Sequence, residues 1–205
     1  MNPIDQLLAD PAAKDFKRLA ESDLDWSIVS GIVWQAARTL GTLVQTGYDV
    51  RTDLSNEGVP WNDPRLSTPG NAIRISIPFL LLAGLAIEGQ LKALRIAQLK
   101  QAGEDIVRFK KKGKTQQLSL RADLTTHNLV VLAEACGLTL SGDEEALLER
   151  LHKYVTWAGK YPIALVPEEN DHPDFGPADI AMPLALYQRV AKAHQALWQR
   201  NTAEP

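Results

Sequence analysis

The chain has 205 residues, 45% of them hydrophobic and 23% charged, enough for one domain with a sizeable core. Its 22 Lys and Arg nearly balance 25 Asp and Glu, and a net charge of −3 argues against a strongly basic nucleic-acid binder while leaving room for a local basic patch. Cys136 is the sole cysteine, which excludes an intramolecular disulfide and a cysteine-rich zinc site.

The start, Met1-Asn2-Pro3-Ile4-Asp5, has neither the cationic opening nor the apolar stretch of a signal peptide. The most apolar run, Ile77 to Ile87, is interrupted by Pro78 and stops at Glu88, too short to span a bilayer. The expectation is a soluble, cytoplasmic protein with no membrane partner. It is read as a single domain over 1–205, with 1–22 an N-terminal extension and 51–70 a long loop.

Pro11 to Ser22 carries Phe16 and Leu19 among charges, as a short amphipathic helix does. From Leu24 to Thr46, Trp26, Val29, Val33, Ala37, Leu40 and Val44 recur at three- and four-residue steps, the stripe of a core-facing helix that should stop at Gly47. Arg51 to Gly70 holds Pro60, Pro64 and Pro69 and reads as a loop pinned by Trp61. Asn71 to Ala102 is the expected central helix, apolar on nearly all sides at first and amphipathic later, with Pro78 either kinking it or marking its first turn.

Between Glu104 and Leu120 the flanks of Gly113 suit either a short hairpin, near 106–120, or a solvated loop. Thr125 or Thr126 suits a helix N-cap ahead of the stripe Leu129, Leu132, Ala133 and Cys136, which Gly137 should end. Ser141 and Glu144 have capping-box spacing before a helix burying Leu147, Leu148, Leu151, Tyr154 and Val155. Tyr161-Pro162 should end that helix, and Pro167 to Pro177 reads as an acidic loop. A last helix, roughly Pro183 to Arg200, carries Leu184, Tyr187, Ala191, His194 and Trp198. The fold class is all-α, an up-and-down helical bundle of about five or six helices.

No phosphate-binding loop, nucleophile elbow, dinucleotide fingerprint or His-Glu-x-x-His motif is present. Two Glu-x-x-His pairs, Glu149–His152 and Glu169–His172, raise the question of a di-iron site. Pro167 and Pro173 deny the second pair a helix, and His152 sits only at the edge of an apolar arc, so no metal site is assigned and no cofactor is expected. The acidic stretch from Glu168 to Asp174 reads as solvated surface, and Cys136 as a small apolar core residue.

Glu88 stands where a buried stripe gives way to a cationic one, sharing its face with Lys92 and Arg95. Lys92 lies one helical turn on, placed for an ion pair. Glu88 is thus either a structural partner of Lys92 or a carboxylate in a cleft. His127, following the threonine cap, should lie in a first helical turn, where the helix N-terminus disfavours a positive charge. Its imidazole is then either a general base or a packed anchor. His152 and His194 read as structural. The cluster Lys110 to Lys114 can meet phosphates or simply water.

Ala86-Ile87-Glu88-Gly89-Gln90-Leu91-Lys92-Ala93-Leu94, then Thr126-His127-Asn128-Leu129-Val130-Val131-Leu132, and Trp157-Ala158-Gly159-Lys160-Tyr161-Pro162 together resemble the HEPN-like superfamily, over roughly residues 71–162. The resemblance implies a helical bundle that forms a homodimer. In active members it implies a metal-independent RNase site of one Arg and one His, the arginine stabilising phosphate charge and the histidine acting on the 2′-hydroxyl. Arg121 and His127 have the family's spacing, although Arg121 falls before the helix and Ala122 follows it where a polar residue is usual.

Two functions follow as expectations. One is a non-catalytic HEPN-like module binding RNA, a nucleotide or a protein, with Lys92, Arg95, Trp157, Lys160 and Tyr161 as ligand-side residues. The other is a metal-independent RNase of toxin or phage-defence type, with Arg121 and His127 catalytic and Glu88 orienting one of them.

Overall fold

The computed structural model of the chain describes residues 10–60, 62–112, 115–158 and 178–203. Asp10 caps the first helix, α1 (Pro11–Ala20), by accepting from Ala12 N, and Pro11 occupies the first turn, where its missing N–H is harmless. The helix buries Ala13 and Ala20. Phe16 and Leu19 stay exposed.

Ser22 caps α2 (Asp23–Asn56) by accepting from Asp25 N at 3.1 Å. The helix does not stop at Gly47, which lies buried within it. It ends at Gly58, whose φ of 74° lets Gly58 N–H reach Ser55 O and Val59 N–H reach Leu54 O. Residues 51–70 are therefore not one long loop. Nothing from Arg51 to Asn56 breaks a helix already propagating, and Pro64 opens a 3₁₀ turn (Pro64–Leu66) capped by Asp63. Pro69 sits in the first turn of α3 (Ser67–Arg74). Trp61 lies outside the described residues.

The expected single helix over 71–102 is divided at Ile75, and α4 (Ser76–Gln101) carries Pro78 in its first turn. α4 is the hub of the bundle. α2, α6 (Leu129–Ala135), α7 (Gly142–Lys153) and α8 (Ala178–Ala203) all pack on it, which is why its apolar residues point in every direction. α2 runs antiparallel to α4: Gly41 faces Phe79, Ser30 Oγ donates to Ala86 O at 2.7 Å, and Lys100 Nζ donates to Asp23 Oδ1 at 2.6 Å. α8 runs alongside, stacking Tyr187 on Trp34 with ring centroids 4.4 Å apart.

The buried face of α2 is Ser30, Trp34, Ala37, Gly41, Val44 and Gly47, rotated from the expected stripe. Ala37 and Val44 belong to both, while Val29 lies on the surface. α8 begins earlier than Pro183 and includes it, and Arg150 Nη2 donates to Asp179 Oδ1 at 2.6 Å to tie its first turn to α7. Trp198, carried by this last helix, is half-exposed.

The flanks of Gly113 form an antiparallel hairpin, β1 (Val107–Lys112) and β2 (Thr115–Leu120), with Val107 opposite Leu120 and Phe109 opposite Leu118. Beneath it a satellite core of Ile96, Leu99, Ile106 and Leu124 fastens the hairpin to the end of α4. A one-turn helix, α5 (Ala122–Thr125), follows, then α6 and α7. The capping box of Ser141 and Glu144 is complete, and Leu147, Leu148 and Leu151 are fully buried. Tyr154–Ala158 continues α7 as a π-helical turn and sets Val155 against Gly84 of α4.

Among the described residues the chain is thus an all-α bundle with one small hairpin. By length and composition alone the run Pro64–Gln101 is apolar enough to cross a membrane, a longer stretch than Ile77–Ile87. In the bundle its second half carries the buried Glu88, Gln90 and Lys92.

Candidate functional site

Polar side chains line one side of α4 where it meets the 122–128 segment. Lys92 Nζ donates to Glu88 Oε1 at 2.6 Å, and the two residues are only 4% and 5% exposed. The i, i+4 spacing that suggested this pair thus operates inside the protein, where partnerless charges would cost several kcal/mol, on the order of 3–5. The Trp26 ring lies over the ammonium, its centroid 5.5 Å from Nζ, and supplies a second favourable contact.

His127 completes the cluster from a segment 39 residues further along the chain. Its Nδ1 lies 3.0 and 3.1 Å from Glu88 Oε1 and Oε2. A carboxylate only accepts, so Nδ1 is the donor in this contact. Nε2 has no partner among the described residues, and the His127 side chain is 56% exposed.

The backbone around His127 differs from the expected first helical turn. Asn128, not Thr125 or Thr126, is the N-cap of α6, its Oδ1 accepting from Val130 N and Val131 N. Thr126 Oγ1 accepts from Asn128 N and holds the extended link. His127 therefore precedes the helix, and its orientation comes from Glu88 and from its own backbone. His152 of α7 donates from Nδ1 to His127 O at 2.9 Å. His152, read as structural, does anchor this link.

One turn further along α4 a second network begins. Arg95 Nε donates to Asp123 Oδ2 at 3.0 Å, and Arg121 Nε donates to Asp123 Oδ1 at 3.1 Å. The Arg121 guanidinium also grips Glu104 through Nη1, and the side chain is 14% exposed. The Glu104 bond, with Asp123 beside it, holds the Arg121 pKa above its ordinary value despite opposing burial. Burial pushes the Asp123 carboxyl up, but the bonds from Arg95 and Arg121 outweigh it and leave the pKa lowered.

Arg121 and His127 are thus occupied by different partners, Asp123 and Glu104 for one and Glu88 for the other. Lys92 and Arg95, expected on the ligand side, are turned to Glu88 and Asp123. Trp157 lies in the π-helical turn. Lys160 and Tyr161 lie outside the described residues, as do Glu169, His172 and the acidic stretch between Pro167 and Pro177. Among the described residues no three His, Cys, Asp or Glu side chains gather as a metal ion would require.

Asp123 is the member that sequence reasoning overlooked, although an acid two residues after an arginine was a visible signal. A third cluster was equally silent: His194 Nε2 is 3.2 Å from Asp23 Oδ2, beside the Lys100 contact. Burial pushes the Asp23 pKa up, but hydrogen bonds from His194 and Lys100, with the Lys100 charge, bring it down to about 2.

No family model, curated protein or solved structure matches the chain.

Proposed function

We propose that the chain is a non-catalytic, HEPN-like helical module that binds RNA through the basic face of its hairpin. The observation that carries the non-catalytic part is the engagement of Arg121. Its guanidinium is shared between Asp123 and Glu104. An arginine meant to stabilise a phosphate must offer its N–H fork to the ligand, and two of the three nitrogens of this one, Nε and Nη1, are already bonded to carboxylates.

The binding surface follows from strand alternation. Successive side chains of β1 point to opposite faces, so Arg108 and Lys110 share one face, opposite Ser119 and Gln117 of β2. Arg108 and Lys110 are exposed, and the strand continues into Lys111 and Lys112. Val107, on the other face, packs against the satellite core. A ribbon with one anchored face and one cationic face can lie along a sugar–phosphate backbone.

Titrating labelled single-stranded RNA with the wild type and with Arg108→Glu/Lys110→Glu tests this. The expected result is binding that weakens with salt, and a log–log slope shallower by about 0.7 for each phosphate that the variant no longer neutralises. No binding at low salt, or equal binding by the variant, overturns it.

A metal-independent RNase remains the second reading because His127 is held through Nδ1 on a side chain that is more than half exposed. Its test is RNA cleavage in a chelator, beside His127→Ala and Arg121→Ala. Chelator-resistant cleavage that disappears in both folded variants would put this reading first.

A further inference from the structure

Every cation of α4 is paired: Lys92 with Glu88, Arg95 with Asp123 and Lys100 with Asp23. On the hairpin the side chains of Arg108 and Lys110 are exposed and make no ion pair or hydrogen bond among the described residues. Residues two apart on a strand stand about 7 Å from each other, close to the step between neighbouring phosphates of an extended single strand. The adjoining strand presents a different chemistry. Ser119 lies opposite Arg108 and Gln117 opposite Lys110, so the same face sets a row of cations beside a row of neutral hydrogen-bonding groups. Gln117 is exposed and its amide has no partner among the described residues. The Ser119 hydroxyl donates to Leu120 O at 3.3 Å, which leaves its lone pairs for an incoming donor.

We propose that this face selects RNA over DNA, with Ser119 and Gln117 accepting from the ribose 2′-hydroxyls of a single strand whose phosphates lie on Arg108 and Lys110. The inference rests on the RNA-binding reading above and adds what the two neutral residues do there. Cations alone do not separate the two nucleic acids, because DNA and RNA present the same phosphates. The 2′-hydroxyl is the group that differs, and it donates as well as accepts. Ser119, its proton directed to Leu120 O, meets that hydroxyl as an acceptor, and Gln117 meets it through the amide oxygen. Cross-strand neighbours are about 5 Å apart at Cβ, a span comparable to that from a ribose 2′-oxygen to the adjoining phosphate. One cross-strand pair can therefore hold the sugar and the phosphate of one nucleotide. The long side chains of β1 close on the phosphates from one edge, and the shorter ones of β2 lie under the sugars.

The track is bounded at its base. Asp105, two residues ahead of β1, lines the same cleft as Arg108, and its carboxylate turns a phosphate away there. A strand laid on this face therefore runs from Arg108 toward the turn.

Fluorescence anisotropy of the full chain with a labelled uridine oligomer, its deoxyuridine counterpart and its 2′-O-methyl counterpart tests the proposal, with circular dichroism confirming that each variant folds. The wild type is expected to bind the ribose oligomer about tenfold more tightly than the other two, as one or two added hydrogen bonds allow. Gln117→Ala/Ser119→Ala should bring that ratio close to one, whereas Arg108→Glu/Lys110→Glu should weaken the ribose and deoxyribose oligomers alike. Gln117→Ala alone, at an exposed position, should lower the ratio part-way and replaces the double variant if that one unfolds. Equal binding of the ribose and deoxyribose oligomers by the wild type, or a preference that the Gln117 and Ser119 variants keep, overturns the proposal and leaves RNA binding standing. So does a 2′-O-methyl oligomer, which lacks the donor hydrogen, bound as tightly as the ribose one. Binding of none of the three removes the RNA reading itself, and the proposal with it.

Discussion

Lys92 and Glu88 stand one turn apart on the central helix, joined by a 2.6 Å hydrogen bond, and both side chains are almost wholly shielded from water. The same Glu88 carboxylate receives His127 from outside the helix. One buried acid thus balances a buried cation and orients an exposed imidazole. Removing either neighbour has unequal consequences, because one is inside and the other is not.

Lys92→Met should leave the Glu88 carboxylate buried with only His127 to compensate, at a cost of about 3–5 kcal/mol. Glu88→Leu combined with Lys92→Met removes both charges and should cost less than Lys92→Met alone. Urea denaturation of both variants checks this, and a double variant that loses as much as Lys92→Met or more would contradict it.

His127→Ala deletes a half-exposed ring whose partner keeps Lys92. The expected loss is about 1 kcal/mol, a melting-temperature drop of about 2–4 °C for a chain of this size. A drop several times larger in calorimetry would make His127 a major anchor of the fold.

Acid stability should depend on Asp23. Its pKa falls from 3.8 to about 2 on folding, so it contributes stability that is fully present above its unfolded pKa and disappears as pH falls through about 2. Unfolding free energy followed from pH 5 downward should decline across that window. Asp23→Asn, less stable at pH 5, should show a flatter decline. An unchanged slope would remove Asp23 from the acid transition.

Two glycines should respond oppositely to alanine. A Cβ on Gly84 would meet Val155 Cγ2 at 2.7 Å and Leu151 O at 3.4 Å, and Gly84→Ala should cost about 1–3 kcal/mol through overpacking. At Gly31 the nearest such atom, Tyr187 Oη, is 3.9 Å away, so Gly31→Ala should stabilise by about 0.5–1 kcal/mol through helix propensity. Chemical denaturation of the pair gives the signs.

Cys136 is buried and its thiol donates to Leu91 O at 3.3 Å. Burial pushes its pKa up to about 12, with Arg95 opposing and Asp123 reinforcing. A disulfide reagent at pH 8 should therefore react with the folded protein slowly and with the urea-unfolded chain at once. Equal rates would mean the α4–α6 contact opens readily.

Local order was legible in the residues. The capping box at Ser141, the stop at Gly137 and the Glu88–Lys92 pair each depend on groups within a few positions of one another, whereas the flanks of Gly113 suited a hairpin and a loop alike until the structure decided for the hairpin. The chain's all-α character followed from apolar periodicity in the same way. The length of α2 did not, because Gly47 is equally compatible with a stop and with a packed helix interior. Its buried face was misplaced for a related reason. A helix with two apolar faces gives one periodicity and two answers, and only packing on α4 selects Trp34 over Val29 for the core.

The candidate site divides along the same line. The amino-acid sequence by itself determined that Glu88 and Lys92 share a helix face and that Arg121 and His127 lie near each other in the chain. Tertiary structure alone decided that His127 turns to Glu88 while Arg121 turns to Asp123 and Glu104. Spacing limits which groups can meet. Which of them do meet is set by the competition of every nearby charge for a partner as water is excluded.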